Sequence, residues 1–296
     1  MKKNLDSKKK LDTVVEDIYA SIEDLGKGKP IKVSEEDLDK FGDFMKEALK
    51  DWLTPRANRK PSLRMSNIGK PERQLWYEMK SDPKDVAIPA PTMIKFLYGH
   101  ILERVVLFLT ELSGHEVTDE QKEVKVKGVV GHMDCKIDGE VVDIKSASNY
   151  AFRKFSHGTL PDDDVFGYLS QLAGYEHNED TDQGGFLAIN KENGELALFR
   201  PDSLDKPNIE FKINKIKKQL KQDTPPPRCY KPIDEGAYGN QKLPRECKYC
   251  PFKFECYKDA NDGAGLRVFQ YHNELRYLTI VKKLPKVDEI TDRFNG

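Results

Sequence analysis

The sequence predicts an α/β chain, with short strands gathered in its middle and amphipathic helices before, between and after them. Three observations carry this. Residues 131–145 hold two β-like runs on either side of Asp138-Gly139, a dipeptide that favours a two-residue hairpin turn. Two further runs, 184–190 and 195–200, are joined by Lys191-Glu192-Asn193-Gly194 and read as a second hairpin that extends the sheet. Residues 34–53, 92–112 and 209–221 space their apolar side chains as helices do.

The 296 residues suffice for one large domain with appended segments. Lysine and arginine number 49 against 50 aspartates and glutamates, so the net charge of −1 gives no strong overall field. Nucleic-acid binding must then rest on local basic patches. The most apolar helix, 92–112, is interrupted by Lys95, His100, Glu103 and Arg104 and is no membrane span. With no signal-peptide core, a cytoplasmic protein with no membrane partner is expected. Four of the five cysteines crowd the C-terminal third, which points to a metal or cluster rather than a disulfide framework.

Taken in order, residues 1–30 read as a loosely attached, charged helical arm ending at Gly26-Lys27-Gly28-Lys29-Pro30. Ser34 and Asp37 form a capping-box pattern that opens a helix to about Leu53. A basic loop follows, with Arg56, Arg59, Lys60 and Arg64, which is either a solvated surface or a phosphate contact. The helix over 92–112 ends at Ser113-Gly114, and its His100 and Glu103, three apart, share a face. Residues 123–130 alternate charged and apolar side chains, as one half-exposed strand should.

The central hairpin is the chemically informative stretch. A two-residue turn at Asp138-Gly139 pairs Ile137 with Glu140, places Asp134 opposite Asp143, and puts Lys145 on the same face opposite His132. Carboxylates so placed lie roughly 5 Å apart at their Cβ atoms and repel unless a cation sits between them. A hard divalent ion such as Mg²⁺ fits that need. Acid-x-Lys triplets recur in this charged chain, as at Glu78 to Lys80 and Glu210 to Lys212, so what distinguishes this one is its apolar strand and the second aspartate in register.

Beyond Lys145, residues 146–155 read as a loop through Ser146, Ser148, Arg153 and Lys154 that guides a strand or only connects. Asp162-Asp163-Asp164 then caps a helix that sets Gln171 and Tyr175 one turn apart. Residues 209–221 form a basic helix with a solvated or phosphate-facing side. Thr224-Pro225-Pro226-Pro227 stiffens the approach to Cys229. Cys247-x-x-Cys250-x5-Cys256 completes a four-thiolate pattern that suits an iron–sulfur cluster or zinc. Cys135, in the hairpin on the face away from Asp134, reads as a packing residue. Residues 265–290 carry strand-like runs.

These residues resemble the PD-(D/E)XK nuclease superfamily, in its RecB-like branch. Gly99-x-x-x-Glu103, Gly131 to Asp134, Asp143-x-Lys145 and Gln171-x-x-x-Tyr175 follow the family's motif order. The run from Met65 through Ser66-Asn67-Ile68-Gly69 to Arg73 and Trp76-Tyr77 is similar to the segment that precedes them. The resemblance implies a restriction-endonuclease-like core, a mixed central sheet flanked by helices, over 61–222. A helical region (1–60) would precede it, with a four-cysteine segment (223–260) and a strand-like tail (261–296) after it. It further implies Mg²⁺ or Mn²⁺ held by Asp134, Asp143, the Ile144 carbonyl and Glu103, with His100 as the alternative ligand. Lys145 would position or deprotonate the attacking water, or neutralise charge, supported by Gln171 and Tyr175, while Arg73 joins Arg56, Arg59, Lys60 and Arg64 on DNA. Cys229, Cys247, Cys250 and Cys256 would hold a [4Fe–4S] cluster or zinc, Cys229 replacing a ligand where Pro71 stands. The implied activity is a phage- or recombination-type exonuclease on DNA in recombination, repair or viral DNA processing, with a recombination or single-strand-binding protein as a possible partner. A structure-specific endonuclease and a non-catalytic nucleic-acid-binding module with a structural metal are the alternatives.

Overall fold

A computed structural model describes residues 9–54, 60–81 and 89–294. In chain order the helices are α1 (Val14–Gly26), α2 (Glu35–Leu53), α3 (Glu72–Lys80), α4 (Ala90–Leu112), α5 (Asn149–Ser156), α6 (Tyr168–Asn178), α7 (Ile209–Leu220), α8 (Arg245–Lys248) and α9 (Lys253–Cys256). The strands are β1 (Val117–Thr118), β2 (Glu123–Val126), β3 (Val129–His132), β4 (Cys135–Ile137), β5 (Glu140–Ala147), β6 (Gly185–Asn190), β7 (Leu196–Phe199), β8 (Ile233–Glu235), β9 (Asn240–Lys242), β10 (Arg267–Gln270) and β11 (Leu275–Ile280). They fall into two units, one of residues 1–69 and 81–215, the other of 70–80 and 216–296.

The first unit is built on a five-stranded sheet in the order β1-β4-β5-β6-β7. Only β5 and β6 run parallel, so the sheet is mixed. Strand alternation sends Val142, Ile144, Leu187 and Ile189 to a core shared with Val106 and Leu107 of α4. Phe186, one residue out of phase, instead meets Phe155 of α5, with ring centroids 5.7 Å apart. Helices thus cover both faces, as parallel pairing requires. In α2, Ser34 Oγ accepts the Asp37 N–H at 3.0 Å, the cap its sequence calls for. Among the described residues no helix is long and apolar enough to cross a membrane.

Three local expectations are corrected. The N-terminal arm is not loose: Leu11, Val14 and Ile18 are fully buried in the sheet's core, because their apolar stripe finds a face to cover. Polar ties hold it too, as Tyr19 Oη accepts the Leu196 N–H at 2.7 Å and His115 lies 2.6 Å from Asp138 and 3.1 Å from Asp17. Residues 123–130 are not one strand, since Lys127 and Gly128 both take left-handed conformations and fold β2 onto β3 in a separate two-stranded sheet. His132 therefore pairs with Glu123, not with Lys145. The segment after Lys145 is no open loop: β5 runs to Ala147, and Ser148, whose Oγ accepts the Ala151 N–H, starts α5.

The second unit has its own four-stranded antiparallel sheet, β10-β11-β9-β8, around a core of Leu243, Tyr257, Leu266, Val268 and Tyr277. The strand-like tail is β10 and β11 of that sheet.

Candidate active site

The site begins with the hairpin. Asp138 and Gly139 both have positive φ, 53° and 90°, as a two-residue turn of this hand demands, and Ile137 pairs with Glu140 as counted. The ladder ends at the Cys135 and Val142 pair. One step beyond, Asp134 turns its Oδ2 to accept the Ile144 N–H at 2.7 Å, which locks the first acid to the strand carrying the second.

Asp143 has no exposure at all. Its Oδ2 pairs with the Lys145 ammonium, and among the described residues no other hydrogen bond reaches its carboxylate oxygens. A buried carboxylate left this way is costly in isolation. Burial pushes the pKa of Asp143 up, with Lys145 opposing. For Asp134, burial first, then Asp143 and Glu103, push it well above the ordinary carboxylate range. Glu103 of α4 is likewise raised by burial, with Arg104 opposing and Asp143 adding to the rise. Burial disfavours charge on Lys145, but Asp143 and Asp134 outweigh it and hold the ammonium above its usual value. Three acids and a lysine therefore share one field.

Glu103 is placed by the Gln121 side chain, whose Nε2 donates to it at 2.9 Å. His100, one turn earlier on α4, is exposed. Since a carboxylate suits Mg²⁺ and an imidazole suits softer metals, Glu103→Gln is expected to weaken Mg²⁺-dependent activity far more than His100→Gln. A Mg²⁺ titration of both variants checks this, and the opposite ranking moves the role to His100.

On α6, Asp164 accepts the N–H groups of Tyr168 and Leu169 at 2.8 and 2.9 Å and so fixes the helix start. Gln171 then links two partners: its Oε1 accepts from Lys145 Nζ at 3.3 Å, and its Nε2 donates to Tyr175 Oη at 2.7 Å. Tyr175 is buried, which pushes its phenol up. This pair orients the lysine rather than reaching outward. Tyr168 went unnoticed in the sequence, yet its ring lies 4.6 Å from Lys145 Nζ. Its signal was the spacing Tyr168, Gln171, Tyr175, which is i, i+3, i+7 on one helix face. The glycine of the 131–134 motif also has a reason: a Cβ on Gly131 would stand 2.5 Å from the side chain of Met65, which packs against Gly174 as well.

Of the basic residues, Lys60 and Arg64 are exposed, and Arg56 and Arg59 lie outside the described residues. Arg73 is engaged within the second unit. Its guanidinium donates to Cys256 Sγ at 3.1 Å, to the Pro226 carbonyl and to Tyr77 Oη. Cys229, Cys247, Cys250 and Cys256 line the same cleft as Arg73. Burial pushes Cys247 up to about 12 and also raises Cys250. Cys135 is buried apart from them, in the core of the first unit.

Among the described residues no group of three or more His, Cys, Asp or Glu side chains stands ready-made to hold a metal ion. The donor chemistry differs between the two places. The Asp143 carboxylate, buried with Lys145 as its polar partner and beside two further acids whose pKa is raised, fits a hard divalent cation. The thiols suit a soft metal only once deprotonated.

No family model and no curated protein matches the sequence. Among solved structures the chain is similar to the protein SSO0001, at 18% identity over 71% of this chain and 91% of that one, with a TM-score of 0.37. It is also similar to an alkaline exonuclease from Laribacter hongkongensis, at 14% identity over 58% and 92% of the two chains, TM-score 0.39. A phage-related exonuclease from Haemophilus somnus matches at 12% identity over 55% and 91%, TM-score 0.34. Two of these three neighbours are exonucleases by name, and the motifs in the chain resemble those of the PD-(D/E)XK superfamily.

Proposed function

We propose that this protein is a divalent-cation-dependent deoxyribonuclease that hydrolyses phosphodiester bonds of DNA. The observation that carries this reading is the buried Asp143, paired with Lys145 and set beside Asp134 and Glu103. A module that only binds gains nothing from acids that raise one another. Glu103, Asp134, Asp143 and the Ile144 carbonyl would hold Mg²⁺ or Mn²⁺, which supplies an acidified water and charge stabilisation at the phosphate. Lys145, paired with Asp143, would position or deprotonate the attacking water, or neutralise the charge that develops at the phosphate. Gln171 and Tyr175 hold its ammonium in place.

Action at a DNA end, in recombination or repair, rests on the likeness of the motifs to RecB-like exonucleases. Charge supports a polyanionic substrate: the second unit carries 19 lysines and arginines against 13 acids, a net +6 in a chain of −1. Digestion of single- and double-stranded DNA labelled at either end tests the reading. Progressive loss of label under Mg²⁺, and none with chelator, is expected, whereas a gel shift without cleavage in any divalent ion leaves only a binding module.

Cys229, Cys247, Cys250 and Cys256 are proposed as ligands of one metal centre, [4Fe–4S] before zinc, because four thiols of this spacing line one cleft. Such a centre would close the chain between Cys229 and Cys256 and lend stability. Iron, sulfide and zinc analysis after anaerobic purification is expected to give four irons per chain. Stoichiometric zinc without iron would make it a structural zinc site, and no metal would refute both.

A further inference from the structure

The loop before α6 presents an aromatic ring whose exposure packing does not explain. Phe166 is 63% exposed, yet the backbone that carries it is pinned. Gly167 has φ of 75°, and a Cβ on it would come within 2.2 Å of the Gly69 backbone, so the two glycines touch main chain to main chain. Gly69 is held in turn: Asn67 accepts the Arg64 N–H at 2.9 Å and donates to the Ser62 carbonyl at 3.0 Å, and Ile68 is fully buried. On the other side Asp164 accepts the Tyr168 and Leu169 N–H groups.

The ring of Phe166 stacks on Tyr168, with centroids 5.5 Å apart and planes at 27°. Tyr168 in turn lies 4.6 Å under the Lys145 ammonium. Phe166 can therefore lie no farther from Lys145 Nζ than these two steps combined, about 10 Å, which is about three base-stacking steps of 3.4 Å. The ring is thus exposed on a backbone held from both sides.

We propose that Phe166 is a stacking platform for an unpaired nucleobase of the DNA strand whose phosphate meets Lys145. The inference rests on the nuclease reading and names the substrate form that site takes, a strand that is single or frayed at the point of cleavage. Every base has a π-face, so such a platform tolerates any sequence. A base inside a duplex already has its faces covered and cannot use it. Rigidity matters because a pre-ordered ring loses no freedom on binding. Tyr168 beneath it ties the platform to the lysine, so a base stacked on Phe166 sets the register of the backbone over the acids.

The test uses the full chain carrying Asp143→Asn to stop cleavage, and a single-stranded oligonucleotide with 2-aminopurine near its end. Stacking on an aromatic ring should quench the probe on binding, and Phe166→Ala should remove the quench and weaken affinity about tenfold, with Phe166→Trp restoring both. A structural role alone would not give rescue by a larger ring. Unchanged affinity and quench in Phe166→Ala would overturn the platform, and if the protein with Asp143 intact still degrades DNA under Mg²⁺ the nuclease reading survives it. Absence of both DNA binding and cleavage in every variant would remove the two together.

Discussion

Asp143→Ala is expected to lower Mg²⁺-dependent DNA cleavage by at least ~10³-fold, about 4 kcal/mol of transition-state stabilisation, while DNA affinity changes little. The reason is the place of this carboxylate: it is fully buried, paired with Lys145, and shares its field with Asp134 and Glu103. Asp143→Asn keeps the volume and separates charge from packing. Without divalent cation, acids whose folded values are raised contribute stability that is full below the ordinary 3.8 to 4.5 and is lost as pH rises through the raised values. The cation-free protein should therefore lose Tm with rising pH above that range, and Asp143→Asn should flatten the loss. Added Mg²⁺ should raise the Tm of the native chain at neutral pH and leave that of Asp143→Asn nearly unmoved. Undiminished cleavage by Asp143→Ala would end the assignment of this hairpin as the active site.

The second large effect is one of stability. Gly167→Ala should cost more than ~4 kcal/mol, a sizeable part of the roughly 5–15 kcal/mol that holds a domain folded. Its left-handed φ of 75° charges about 1–2 kcal/mol to any residue with a Cβ. The rest comes from contact with Gly69 at 2.2 Å, where the obstacle is backbone on a buried turn and cannot swing aside. Gly139→Ala is the control. Its φ is 90° but nothing stands within 4 Å, so only the conformational cost should appear. Urea unfolding of the three proteins checks the ranking, and equal losses for the two variants would show that the Gly69 contact carries no energy.

Local chemistry in the sequence reached far where it acts over two to four residues. The Asp138-Gly139 turn set the pairing of Ile137 with Glu140, and Ser34 capped its helix as the pattern with Asp37 implies. The same kind of signal was misread at Lys127-Gly128, where a lysine took the left-handed position usually given to asparagine or aspartate, and at Ser148, whose cap was hidden among residues that look like a loop. Nor did charge in 1–30 betray that Leu11, Val14 and Ile18 would be core.

What the sequence by itself determined is the Asp138-Gly139 turn and the register from Ile137 with Glu140 to Cys135 with Val142, because a two-residue turn and period-2 alternation leave one register. Only the tertiary structure decided what stands around it. Glu103 comes from α4, Gln171, Tyr175 and Tyr168 come from α6, and Gly69 meets Gly167 across almost a hundred residues of chain. Such neighbours are chosen by which apolar faces bury together and by the parallel pairing of β5 with β6, and neither leaves a mark at any one residue.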